Sequence, residues 1–333
     1  MALTFGVCFM ADPPVSKVVE MAKLAEQNGF EYVWMWDSHV LWQEVYPIFA
    51  LMAANTTSIK MGPCVTNPAT RDITVTASVL ATLNEISGGR MVMGMGRGDS
   101  ARRVLGKSPV GVEQMEDACR KIKDLVEGRE IDYDGTPLQL KWTTGGTLEV
   151  WVAAYGPRAL RCAGRVADGL IMQLADPYIV EWSLRYVREG AEQAGRRFED
   201  IKVMAAAPAY LTDDLAYARE QVRWFPALVS NHVVDLVKRY ATTDLPQALT
   251  DYVAARDHYD YSDHARTGAE HAQFVTDEVV DRFCVIGPAD ACAEKLRELE
   301  AAGVHQFNIY SMVDDPEGVI RSFGSQIVPA FAS

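Results

Sequence analysis

Four short stretches hold the residue types that chemistry needs. Trp36-Asp37-Ser38-His39, followed by Trp42, sets a carboxylate and an imidazole beside two indoles. A planar group could stack there and a proton could move. The same residues also fit an aspartate that caps the next helix and a histidine satisfied by backbone. Gly96-Arg97-Gly98-Asp99 is a flexible turn presenting a cation and a carboxylate, although glycine-rich turns are also common as plain connections. In Tyr155-Gly156-Pro157-Arg158, glycine lets a ligand approach the backbone and proline suits the first helical position. The helix start then offers free N–H groups to a phosphate, with Arg158 adding charge; a well-made strand-to-helix turn has the same residues. The fourth stretch, MGPCVTNPATRD from Met61 to Asp72, turns abruptly from apolar Cys64-Val65 to polar Thr66-Asn67-Pro68. No His/Cys/Glu spacing suggests a metal, and no Gly-x-Ser-x-Gly suggests a hydrolase.

All four stretches lie at the ends of apolar runs, so the elements around them decide what they can do. Strand patterns fall at 3–9, 32–36, 60–65, 90–95, 148–154, 169–173, 201–211 and 305–310, with a short accessory strand at 283–286. Helical patterns alternate with them, at 15–28, 46–55, 73–86, 111–127, 157–166, 177–194, 213–240 and 289–302. Gly29 follows the first helix where a cap with positive φ is wanted. Strands this apolar on both faces belong to a parallel sheet covered by helices. Eight units indicate an α/β fold closed as a (β/α)8 TIM barrel, and no Gly-x-Gly-x-x-Gly follows the first strand. One domain over 1–333 is expected, with a polar, Tyr/His/Asp-rich insertion at about 240–280 before the last barrel unit. In such a barrel chemistry belongs at the C-terminal ends of the strands, where all four stretches lie.

Composition narrows the class further. Forty-five Asp and Glu against 32 Lys and Arg leave a net charge of −13, which argues against a broad nucleic-acid-binding face. No apolar run approaches the ~20 residues that span a bilayer, so no membrane partner is expected. MALTFGVCFM reads as a first strand rather than a signal peptide, and the six scattered cysteines read as buried thiols in a reducing cytoplasm. Residue types and spacing thus describe a cytoplasmic barrel enzyme that binds a phosphorylated, planar ligand.

The order of motifs adds more. GPCVTNPATRDITVTASVLATLNEISGGRMVMGMGRGDS, Gly62 to Ser100, resembles the core of the luciferase-like flavin- and deazaflavin-dependent oxidoreductases. It is most similar to their F420-dependent branch, which contains methylenetetrahydromethanopterin reductase. GFEYVWMWDSH (29–39), AAYGPRALRCAGRVADGLIM (153–172) and IGPADACAEKLRELEAAGVHQFNIY (286–310) extend the similarity over most of the chain. The resemblance implies a cofactor in the C-terminal mouth of the barrel, against a third-strand bulge whose non-prolyl cis peptide falls at Cys64-Val65. It places Asp37 and His39 near the ring, Thr66 and Asn67 at its polar edge, and Gly96, Gly98 and Asp99 along the ring or the cofactor's side chain. Ala154, Tyr155, Gly156 and Pro157 would hold the phosphate, and Met172 would lie against the cofactor.

The implied chemistry is hydride transfer between deazaflavin C5 and a small organic substrate. His39 or Asp99 would move the proton, and Trp36 and Trp42 would shape the substrate side. Within the same family the alternative is FMN, with reduced flavin and oxygen acting as a monooxygenase; a non-catalytic flavin-binding protein is a third reading. Arg97, Arg102, Arg103 and Lys107 could receive the oligoglutamate tail of F420, or form a solvated basic face. The resemblance also implies a homodimer or homotetramer, built through helices near strands two and three such as VYPIFALMAA, and a reductase partner that supplies reduced cofactor.

Overall fold

Apolar runs that do not alternate bury both faces of a strand, and here eight of them come together as a barrel. The computed structural model describes residues 2–12, 14–238, 246–254, 256, 259 and 265–332. In chain order the strands are β1 (Thr4–Phe9), β2 (Tyr32–Met35), β3 (Lys60–Pro63), β4 (Val92–Met95), β5 (Ile131–Tyr133), β6 (Thr136–Leu138), β7 (Glu149–Ala153), β8 (Gly169–Met172), β9 (Lys202–Leu211), β10 (Val285–Gly287) and β11 (Gln306–Tyr310). Eight of them are parallel neighbours in the order β3-β2-β1-β11-β9-β8-β7-β4. β10 pairs with the far end of β9, from Val285 opposite Ala209 to Gly287 opposite Leu211, as an accessory strand.

The ring closes between β3 and β4 without a full ladder. Bridges join Met61 to Met91 and Thr66 to Met95. The N–H groups of Met61, Thr66 and Gly96 donate to Arg90, Gly94 and Thr66 carbonyls at 3.0, 2.9 and 2.8 Å. This seam needs glycine on both sides. A Cβ on Gly62 would lie 2.0 Å from the Val92 carbonyl oxygen, and one on Gly94 2.2 Å from that of Pro63.

Helices cover the barrel: α1 (Val15–Gln27), α2 (Val45–Asn55), α3 (Ile73–Ser87), α4 (Asp99–Arg103), α5 (Val112–Val126), α6 (Pro157–Val166), α7 (Pro177–Gln193), α8 (Leu215–Val222), α9 (Trp224–Val237), α10 (Gln247–Val253), α11 (Asp277–Phe283), α12 (Ala289–Ala301), α13 (Pro316–Gln326) and α14 (Val328–Phe331). Gly29 has φ +79°, as its place after α1 requires. Among the described residues no helix is long and apolar enough to cross a membrane.

The structure departs from the pattern-based expectation at several elements. The single helix expected over 213–240 is two, α8 and α9, because Pro226 has no N–H to continue the ladder from α8. The polar stretch 130–146 contains the β5–β6 hairpin, too short for periodicity to mark. α4 follows Gly98, whose φ of +77° turns the chain at once into a short helix. α13, capped by Asp315 through its bond from the Gly318 N–H, was not expected. Of the expected insertion, α10 and the segment from 265 are described; 239–245 and 260–264 lie outside the described residues.

Candidate active site

Where eight parallel strands end together, their loops must enclose a space, and here it is a cavity of about 510 Å³. This lies within the ~300–1,000 Å³ typical of small-molecule sites. Trp36 and Asp37 enter it after β2, Cys64 and Val65 after β3, and Gly96 to Ser100 after β4. Ala154 to Gly156 enter after β7, Gln173 after β8, and Tyr310 closes β11. One side of α9 completes the wall with Leu228, Asn231, His232 and Asp235.

The floor is the tip of β3. The ladder of β3 stops at Pro63, and the Cys64–Val65 peptide is cis and non-prolyl. Its anchor lies behind it. The Thr66 hydroxyl donates to Asp37 Oδ2 at 2.7 Å and accepts from the Tyr46 hydroxyl at 3.3 Å. Arg71 grips the Asp37 carboxylate with two bonds of 2.7 and 3.1 Å, reaches Glu44 at 2.6 Å, and stacks over the Tyr46 ring. Asp37 is 3% exposed, so this ion pair is desolvated and geometrically committed. Burial first, and then the Asp37 charge, pushes the Tyr46 hydroxyl above its usual range, keeping it a neutral donor.

The opposite wall holds the groups able to move protons. His232 stacks on Tyr155 with ring centres 4.2 Å apart and planes 17° apart. Its Nδ1 stands 3.9 Å from Asp99 Oδ2, and Arg103 bonds the other Asp99 oxygen at 2.5 Å. Burial lowers the His232 pKa, and Asp99 opposes that shift. The Tyr155 hydroxyl donates to Gln173 Oε1, while Gln173 Nε2 donates to the Tyr310 hydroxyl at 2.7 Å. Burial drives Tyr310 well above the usual phenol range, so its hydroxyl stays neutral.

Most of the residues singled out from sequence converge here. Asp37, Cys64, Val65, Gly96, Gly98, Asp99, Ala154, Tyr155, Gly156 and Trp36 line the cavity, as do Arg97 and Arg158. Thr66 and Asn67 are buried behind the floor instead; Asn67 Oδ1 accepts from the N–H groups of Ala69 and Thr70. Pro157 is the first residue of α6, and Met172 is buried at the end of β8, neither in the lining. Trp42 packs behind Trp36 at 5.2 Å.

His39 is exposed and outside the lining. The N–H groups of Leu41 and Trp42 both bond the Ser38 carbonyl, and that turn carries His39 away to the surface. Arg102, Arg103 and Lys107 are also outside the lining. What sequence reasoning missed is the polar face of α9, within the helix expected over 213–240. A signal was present: Leu228, Asn231, His232 and Asp235 recur at helical spacing, placing three polar side chains on one face of an apolar helix. Among the described residues, no group of three or more His, Cys, Asp or Glu could hold a metal ion.

Comparison with known proteins follows the same architecture. The luciferase-like monooxygenase family matches residues 3–306. The 5,10-methylenetetrahydromethanopterin reductase of Methanolobus tindarius is 32% identical, over 98% of this chain and 100% of that protein. The F420-dependent glucose-6-phosphate dehydrogenase of Microbacterium testaceum is 25% identical, over 94% and 93% of the two chains. The structure of the coenzyme F420 dependent tetrahydromethanopterin reductase from Methanopyrus kandleri superposes with a TM-score of 0.79 at 26% identity, covering 100% of both chains.

Proposed function

Because the chain belongs to the luciferase-like monooxygenase family, we propose that it is an F420-dependent oxidoreductase that transfers hydride to or from a small organic substrate. The observation that carries this reading is the cavity itself, whose surfaces suit a flat ring with an anionic tail. A Cβ on Gly96 would lie 2.5 Å from Val65 Cγ2, so strand end and bulge meet as a surface without a side chain between them. Across the cavity, Gly156 is the N-cap of α6 and supplies no side-chain cap, which leaves first-turn N–H groups available to a phosphate. Curated relatives named as F420-dependent dehydrogenases favour F420 over FMN.

When bound, F420 would supply a two-electron hydride donor or acceptor at C5. The protein's part is placement. Val65 and Gly96 support the ring, and the backbone of Ala154, Tyr155 and Gly156, with Pro157 setting the helix start, receives the phosphate. Thr66 and Asn67 hold the bulge from behind, and Met172 backs the end of β8. Trp36, held by Trp42, and Tyr310 form an apolar wall that excludes water from the substrate side. Asp37 is a positioning residue, since both its oxygens are engaged, and Asp99 is the carboxylate left to act on a proton through its neighbours.

Titrating the purified protein with F420 and, separately, with FMN tests this reading. Micromolar or tighter binding of F420, with FMN weaker, is the expected result. Preference for FMN would instead assign reduced-flavin and oxygen chemistry.

The assembly fits a homodimer across α2 and α3. Leu51 on α2 is 48% exposed, and Val75 and Ile86 on α3 are 55% and 51% exposed, on two helices that pack side by side. Exposed apolar side chains on adjacent helices are what an association surface would bury. Sedimentation is expected to give twice the 36.8 kDa chain mass, falling to one chain in the Leu51→Asp, Val75→Asp double variant. A wild-type protein sedimenting as one chain would contradict it.

A further inference from the structure

His39, the histidine expected from sequence to move the proton, is exposed and outside the cavity lining. We propose that His232, with Asp99 at its Nδ1 edge, is the proton-exchanging residue of the cavity, holding at Nε2 the proton given to a polarised C=O or C=N substrate. The inference rests on the oxidoreductase reading above and deepens it.

Three observations converge on His232. It lines the same cavity as the β3 floor, from the facing wall. Its ring is fixed in plane by Tyr155, 4.2 Å away and nearly parallel. Its Nδ1 stands 3.9 Å from the Asp99 carboxylate, so Nε2 is the ring nitrogen away from that carboxylate. By contrast, His39 is exposed and outside the lining.

Charges of both signs surround the imidazole. Asp99 and Arg103 face it from α4, Asp235 from its own helix, and Arg97 from the turn after β4. Arg103 bridges Asp99 and Asp235, with 2.5 Å to each. Burial therefore leaves His232 mostly neutral near pH 7, poised to take a proton when negative charge enters the cavity. In the reducing direction, His232 gives its Nε2 proton to the substrate heteroatom as hydride reaches the adjacent carbon. The substrate gains one hydride and one proton, reduced F420 loses one of each, and the imidazole regains its proton from solvent. In the oxidising direction, neutral His232 accepts the proton instead.

The test needs no known substrate. Nuclear magnetic resonance of histidine-labelled protein, with the His232 signal identified by its loss in His232→Gln, gives the midpoint with and without F420. Calorimetry in buffers of different ionisation enthalpy counts the protons taken up on F420 binding. The expected result is a midpoint below the ordinary histidine value in the free protein, lower still in Asp99→Asn, and raised on saturation with F420. Proton uptake near pH 6.5 should accompany binding in wild type and vanish in His232→Gln. An F420-insensitive His232 signal, or equal proton uptake in His232→Gln, would overturn the inference while leaving F420 binding intact. Failure of wild type to bind F420 at all would overturn the cofactor reading on which it rests.

Discussion

Asp37→Ala is expected to lower the unfolding free energy by about 3–5 kcal/mol, the loss seen when one partner of a buried ion pair is removed. The structure explains why this exceeds an ordinary surface bridge. The Asp37 side chain is 1% exposed and that of Arg71 16%, so deleting the carboxylate strands a guanidinium that still reaches Glu44 but has lost two bonds. It also frees the Thr66 hydroxyl, and with it the residue just beyond the Cys64–Val65 floor. The ligand site should therefore weaken together with the fold. Asp37→Asn keeps the shape and one acceptor, so it should lose less of both. Urea unfolding and an F420 titration on the two variants measure this; an alanine variant as stable as wild type would show that the pair contributes nothing.

Gly62→Ala is the second large effect, and it acts on barrel closure. A methyl group there would sit 2.0 Å from the Val92 carbonyl oxygen and 2.8 Å from Val92 Cγ2. The first of these atoms is backbone, so β3 and β4 must move apart at the seam. A cost of about 3 kcal/mol, at the upper end of what overpacking exacts, is expected, with a lowered melting temperature and reduced F420 affinity. Gly111→Ala provides the contrast. Gly111 has φ −65° and nothing within 4 Å of an added Cβ, so its stability should barely change. Equal melting temperatures for Gly62→Ala and wild type would mean that the seam yields.

Much of the architecture was legible because barrel strands buried on both faces are continuous apolar runs, each a few residues long and followed by turn residues. The predicted run 148–154 appears as Glu149–Ala153 and the predicted helix 157–166 as Pro157–Val166, since Pro157 marks a helix start from sequence alone. The 130–146 hairpin and α13 were not legible: three-residue strands have no period to read, and α13 follows the last barrel strand, beyond the repeating unit.

For the site, the sequence by itself determined the strand-end stretches, because a parallel barrel sends every C-terminal strand end to one mouth. Asp37, Cys64, Val65, Gly96, Asp99 and Tyr155 meet there for that reason. Only the tertiary structure decided what those groups face. One local turn at Ser38 separates His39 from Asp37, two residues away in the chain. Packing of α9 brings His232 to within 3.9 Å of Asp99, 133 residues earlier. Strand topology is written in local hydrophobic pattern, whereas the partner of a polar side chain depends on which distant helix packs over it, and no local pattern in the chain specifies that.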